Sequence, residues 1–127
     1  MTYNIPRIRG VHRHVTRNPE TLDQGSWMTC LAGHTVRLYG EHGLLKHPDP
    51  RASGVQAVHF RTGELRGTED LAGELLGLHR EEAAGLFACN NQDAIAWLED
   101  ILAAHDTAVW DRYVAELSGN DTGRVIR

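Results

Sequence analysis

The stretch Leu22–Gly40, LDQGSWMTCLAGHTVRLYG, carries its own boundaries. Ser26 offers an N-cap and Gly40 a C-terminal stop, which predicts a helix over residues 27–39. Met28, Leu31, Ala32, Thr35, Val36 and Tyr39 form one apolar stripe, and Trp27, Cys30, Leu31, His34 and Leu38 form another. A helix apolar on two faces belongs at the centre of a fold. Gly33 in its middle costs about 1 kcal/mol against alanine, which implies close approach by a neighbouring element.

On the N-terminal side, Asn4 can cap a helix over residues 5–17, with Pro6 in its first turn. Ile8, Val11, His12 and Val15 give it a buried stripe. Pro19 disfavours helix at Asn18, which can cap a short turn of its own. On the C-terminal side, EHGLLKHPDPRASG (41–54) reads as a loop rich in breakers. VQAVHFRTGELR (55–66) reads as a short β-hairpin turning at RTGE. From Thr68, an expected cap, the chain turns helical: TEDLAGELLGL, then HREEAAGLFA, then NNQDAIAWLEDILAAH from an asparagine cap. Ala94, Trp97, Leu98, Ile101, Leu102 and His105 make the stripe of that third segment. Asp106 is the expected cap of a last helix with Trp110, Tyr113, Val114 and Leu117 facing inward. The expected architecture is mainly α: a compact orthogonal helical bundle with a short β-hairpin or extended insertion. It forms one domain over residues 1–117, followed by a frayed tail over 118–127.

At 127 residues, 41% hydrophobic and 24% charged, the chain has the make-up of one self-sufficient globular domain. No apolar run approaches the roughly 20 residues needed to cross a bilayer. The start, MTYNIPRIRG, lacks the apolar core of a signal peptide, so a cytoplasmic location and no membrane partner are expected. Two cysteines, Cys30 and Cys89, are too few for a disulfide framework. Charge is divided unevenly. Residues 1–66 carry nine Arg or Lys against five acids, and residues 67–127 carry four against twelve.

Four sets of residues could carry chemistry. Cys30 and His34, four apart, share a helix face and supply two ligands of the three or four that a metal needs. His12, His14 and Cys89 are the candidates for the rest, but two positions apart on a helix His12 and His14 point to different sides. Without a CxxC or HExxH pattern, Cys30 and His34 are expected to be core residues, with no cofactor. The second set is EDLAGELLGLHREEAAGLF. With Gly73 at the small position and Gly77 at the turn, it reads as a helix-turn-helix with Ala72, Leu76, Leu78, Ala83 and Leu86 inside. Its second helix would offer Glu81 and Glu82 to phosphates, so nucleic acid is not the expected partner. The three tryptophans, Trp27, Trp97 and Trp110, are expected in the core. Finally, Arg7, Arg9, Arg13 and Arg17 alternate with Ile8, Val11 and Val15, leaving a guanidinium-rich outer face. That face is the expected partner-binding surface, unless the arginines neutralise the acidic half of the same chain.

NPETLDQGSW, then CLAGHTVRLYG, then LAGELLGLHREEAAGLF resemble a family of small proteins from actinobacteria and their phages. That family reads HPE.WDQ..W, CGT..C.AGHA and LGL..EEA..LF, and the resemblance covers roughly residues 11–98. It implies a shared fold and an actinobacterial or phage origin, and carries no assigned activity. The first cysteine of the CGT..C segment has no counterpart here. The function expected from all of this is a non-enzymatic protein-interaction module, a phage-encoded or accessory factor acting on a host or self protein. The alternatives are a metal- or ligand-binding protein centred on Cys30 and His34, and a helix-turn-helix regulator.

Overall fold

The structure, a computed structural model, describes residues 2–26, 29–46 and 55–124, the side chains of 55 and 119–124 excepted. Helix α1 (Ile5–Arg17) is followed by a 3-10 turn at Pro19–Thr21 and then by α2 (Leu31–Tyr39). Strands β1 (His42–Lys46), β2 (Val55–His59) and β3 (Leu65–Gly67) form an antiparallel meander in that order. Helices α3 (Thr68–Leu76), α4 (Arg80–Ala88) and α5 (Asn91–Arg124) complete the chain. The fold is therefore mainly α, with a small sheet.

Helix α1 forms as its sequence dictates. The Asn4 side chain accepts from the Arg7 N–H at 3.1 Å, and Ile8, Val11 and Val15 are buried. His12 stays half-buried and reaches Glu99 on α5 instead of joining the core. The central helix is shorter than expected. Its N-cap is Cys30, not Ser26, because Cys30 has an extended backbone (ψ 166°) that no helix can pass through. Ser26 instead closes a turn on Asp23, donating its N–H to the Asp23 carbonyl at 2.9 Å. The stripe residues Trp27 and Met28 lie outside the described residues. From Leu31 to Val36 every residue is buried, as a central helix requires, whereas Leu38 is exposed. Gly33 falls in the first turn, where its N–H faces the Cys30 sulfur at 3.4 Å.

Two further boundaries move. Residues 42–46, expected in a loop, form β1, which pairs with β2 from His42↔His59 to Lys46↔Val55. The expected loop residues 47–54 lie outside the described residues. The hairpin of β2 and β3 turns where expected, with Gly63 at φ +73°. Gly67, not Thr68, caps α3, and Thr68 is its first residue. At the other end the expected break at Asp106 is absent. One helix, α5, starts from the Asn90 side chain, which accepts the Asp93 N–H at 2.8 Å, and runs to Arg124 through the residues expected to fray.

The core lies where α1, α2 and α3 meet and where α5 closes over α1. Ile8, Val11, Val15, Leu31, Val36, Leu76, Leu86 and Leu98 are fully buried within it. Ala57 of β2 is also inaccessible, so the middle strand of the sheet lies against the helices. Two glycines set helix spacing. A Cβ on Gly73 would sit 3.0 Å from the Ala83 Cβ across the α3–α4 corner, and one on Gly85 would lie 2.8 Å from the Trp97 ring.

Candidate functional site

Gln24 and Asn91, with the backbone of Leu22 and Leu31, form a polar junction that ties three helices together. The Gln24 amide donates to the carbonyls of Leu86 (2.9 Å) and Cys89 (3.1 Å), which end α4. Its oxygen accepts the Leu31 N–H at 2.7 Å, at the start of α2. The Gln24 backbone N–H donates to the Asn91 side chain at 2.8 Å, and the Asn91 amide returns a bond to the Leu22 carbonyl at 2.8 Å. Backbone groups at the end of α4 and the start of α2 are met by the Gln24 side chain, and Asn91 ties the backbone of Leu22 and Gln24 to α5. The DQ and NN pairs of the sequence thus build the frame. Their signal is paired polar residues between the apolar-patterned helical segments.

His34 and Cys30 belong to the same frame. His34 is 3% exposed, and its Nε2–H donates to the Thr21 carbonyl at 2.7 Å. Its Nδ1 accepts from the Arg37 guanidinium at 3.3 Å, so both ring nitrogens are engaged. The His14 ring packs beside it, centroid to centroid 5.0 Å. Burial pushes the His34 pKa below its ordinary value, the Thr21 bond opposes that, and Arg37 and His14 add to the lowering. Cys30 is half-buried and caps α2 with its sulfur. Cys89 is half-buried, and burial raises its thiol pKa above the usual value. No group of three or more His, Cys, Asp or Glu suited to a metal is found among the described residues.

The α3–α4 corner has the shape expected of it. Gly77 is left-handed (φ +75°) at the end of α3, and Ala72, Leu76, Leu78, Ala83 and Leu86 are all buried. Helix α4 presents exposed Glu81 to solvent, and Glu82 accepts a hydrogen bond from the Tyr3 hydroxyl.

The four arginines of α1 are not alike. Arg7 donates to the Leu75 carbonyl at 3.2 Å and lies over the Tyr39 ring, 5.8 Å from its centroid. Arg9 forms a two-pronged bridge to Asp106 of α5, at 2.7 and 3.4 Å. Arg13 and Arg17 are exposed. The expected guanidinium face is therefore half occupied by contacts within the chain.

An exposed apolar stripe lies elsewhere, on α5. Beyond the bridge at Asp106, every residue of α5 to Ser118 is exposed. Trp110 (63% exposed), Tyr113, Val114 and Leu117, expected on an inner face, line its outside together with Val109. The Trp110 and Tyr113 rings touch, 5.6 Å between centroids. Trp97, by contrast, is half-buried against Gly85. Trp27 lies outside the described residues. No helix among the described residues is long and apolar enough to cross a membrane. No family model, curated protein or solved structure matches this chain.

Proposed function

We propose that this chain is a non-enzymatic protein-interaction module and that the projecting half of α5 is its docking element. One observation carries the reading. The α5 positions Glu99, Leu102 and Asp106 meet α1 or the core, with His12 on Glu99 at 2.9 Å and Arg9 on Asp106. The same four-and-three spacing continues as Val109 or Trp110, Tyr113 and Leu117, past the Arg9–Asp106 bridge, where every residue to Ser118 is exposed. A helix surface patterned to receive another helix, exposed and rich in aromatic residues, is the usual make-up of an interaction hot spot. Its occupant is an amphipathic helix of a partner protein, laid along the seam that α1 occupies further back. Part of the same proposal are a cytoplasmic accessory or phage-encoded role on a host protein, kinship with the actinobacterial and phage family, and an orthogonal arrangement of the bundle.

Photo-crosslinking from position 110 in cells of the native host tests this. The expected result is one discrete, saturable adduct that disappears when Tyr113→Lys and Leu117→Lys are introduced together, with the melting temperature unchanged. Diffuse adducts insensitive to that pair would overturn the reading.

A further inference from the structure

A cleft of about 730 Å³ opens between the N-terminal segment, α4 and one face of α5. Its floor is apolar: Ile5, Trp97 and Ile101. Its rim carries carboxylates, Glu82 from α4 and Asp93 and Asp100 from α5. Glu82 is engaged by Tyr3. Asp93 and Asp100 are exposed, and no side chain among the described residues bonds to their carboxylates. They stand seven positions apart, hence on the same helix face and about 10.5 Å apart along the axis. Trp97 lies between them on that face, and its ring borders both this cleft and the adjoining one beside His79 and Arg80. His105 at the far end turns to Asp106, with 3.1 Å between Nδ1 and the carboxylate.

We infer that this cleft is a binding site for a linear aliphatic diamine, with one ammonium at Asp93, one at Asp100, and the hydrocarbon spacer lying over Trp97 and Ile101. The volume is that of a small-molecule site, and the combination of apolar floor and few polar groups is the usual one. Charge selects the sign of the ligand: the half of the chain that builds most of this cleft carries four basic residues against twelve acids. An indole face beside a carboxylate favours an ammonium further, because the ring quadrupole attracts cations. The two carboxylates fix the ligand's length, since an extended eight-carbon diamine spans a comparable distance. This inference does not depend on the α5 docking stripe, which begins beyond the cleft.

The test is titration with 1,8-diaminooctane, octylamine, 1,8-octanediol and octanoate, read on the tryptophan indole N–H resonances of the intact protein. The Trp97 signal should move while that of Trp110 stays still. The diamine should bind about fivefold tighter than octylamine, since exposed ion pairs contribute modestly, and that margin should shrink with added salt. The diol and octanoate should bind more weakly than either amine. Replacing Asp93 and Asp100 by asparagine, both on the exposed helix surface, should remove the preference for the diamine and leave the fold intact. Equal binding of octylamine and octanoate, an unmoved Trp97 signal, or an unaltered preference in the double variant would each overturn the proposal.

Discussion

His34 is held from both sides: its Nε2–H donates to the Thr21 carbonyl at 2.7 Å, and its Nδ1 accepts from Arg37 at 3.3 Å. A neutral imidazole satisfies both bonds at once. A second proton on Nδ1 would face a guanidinium instead of accepting from it, and would place a charge in a site that is 3% exposed.

That arrangement sets a pH dependence. The folded pKa of His34 lies below its ordinary value of 6.5, chiefly because of burial. The unfolded chain therefore binds the proton more readily, so stability from this group is fully present above the unfolded pKa. It is lost as pH falls through that value toward the folded one. Melting temperatures between pH 8 and pH 5 should decline on the acid side. His34→Gln, which keeps an amide donor but does not titrate, should be less stable at pH 8 and show a flatter profile. An identical slope in the variant would place the titrating group elsewhere.

Gln24 gives the second prediction. Its amide serves two carbonyls at the end of α4 and its oxygen serves the first N–H of α2. Gln24→Glu keeps the shape but removes both donors and sets a carboxylate against two carbonyl oxygens. Leaving such a group unsatisfied costs about 1–3 kcal/mol, so the denaturation midpoint should fall with an unchanged m-value. Asn91→Ala should weaken the same junction, and the two changes should be non-additive because they share one network. Additive effects would show that the two side chains act separately.

Periodicity made α1, the α3–α4 corner and the burial of residues 31–36 legible, because a long apolar stripe has one economical solution. Gly77 and the five apolar positions around it were readable for the same reason. The start of α2 was not, since Ser26 is as good a cap by type as Cys30 is poor. What moved the boundary was Gln24, whose bonds reach residues 62 and 65 positions away. Strand β1 was hidden because only Leu44 and Leu45 mark it, and its order comes from pairing with β2. Asp106 looked like a cap because aspartate caps helices. In the fold it answers Arg9, and α5 continues through it. The apolar residues beyond it make an inward-facing pattern in the sequence and an exposed one in the fold, because a stripe reports amphipathicity without saying what covers it. The cleft at Trp97 has no signature in the sequence, as it forms only where the N-terminal segment folds back over α5.

Arg9 and Arg13 sit four apart on α1, and the structure gives them different tasks. Arg9 bridges to Asp106, whereas Arg13 is exposed. Arg9→Glu should lower the melting temperature, less so at high salt, because both partners of the bridge are largely in solvent. Adding Asp106→Arg to it should recover the loss. Arg13→Glu should change stability by no more than about 0.5 kcal/mol. Equal losses at the two positions, or no recovery in the charge swap, would refute this division.

Gly77 couples the corner to the cleft and yields the last prediction. It ends α3 at φ +75°, and a Cβ there would collide with the Thr2 carbonyl and lie 3.0 Å from the Tyr3 Cα. The N-terminal segment runs so close because the Asn4 N–H donates to the Leu76 carbonyl at 2.8 Å. A left-handed conformation alone costs a substituted residue about 1–2 kcal/mol. Gly77→Ala should therefore lose at least that much, and the excess measures the collision. Gly63 provides the control. It too is left-handed, at φ +73°, but nothing lies within 4 Å of its would-be Cβ. Gly63→Ala should show the conformational cost alone. Hydrogen exchange should distinguish the two further, with Gly77→Ala raising exchange at the Asn4 amide and Gly63→Ala leaving it untouched. If both alanines cost the same and Asn4 stays protected, the N-terminal segment does not rest on Gly77.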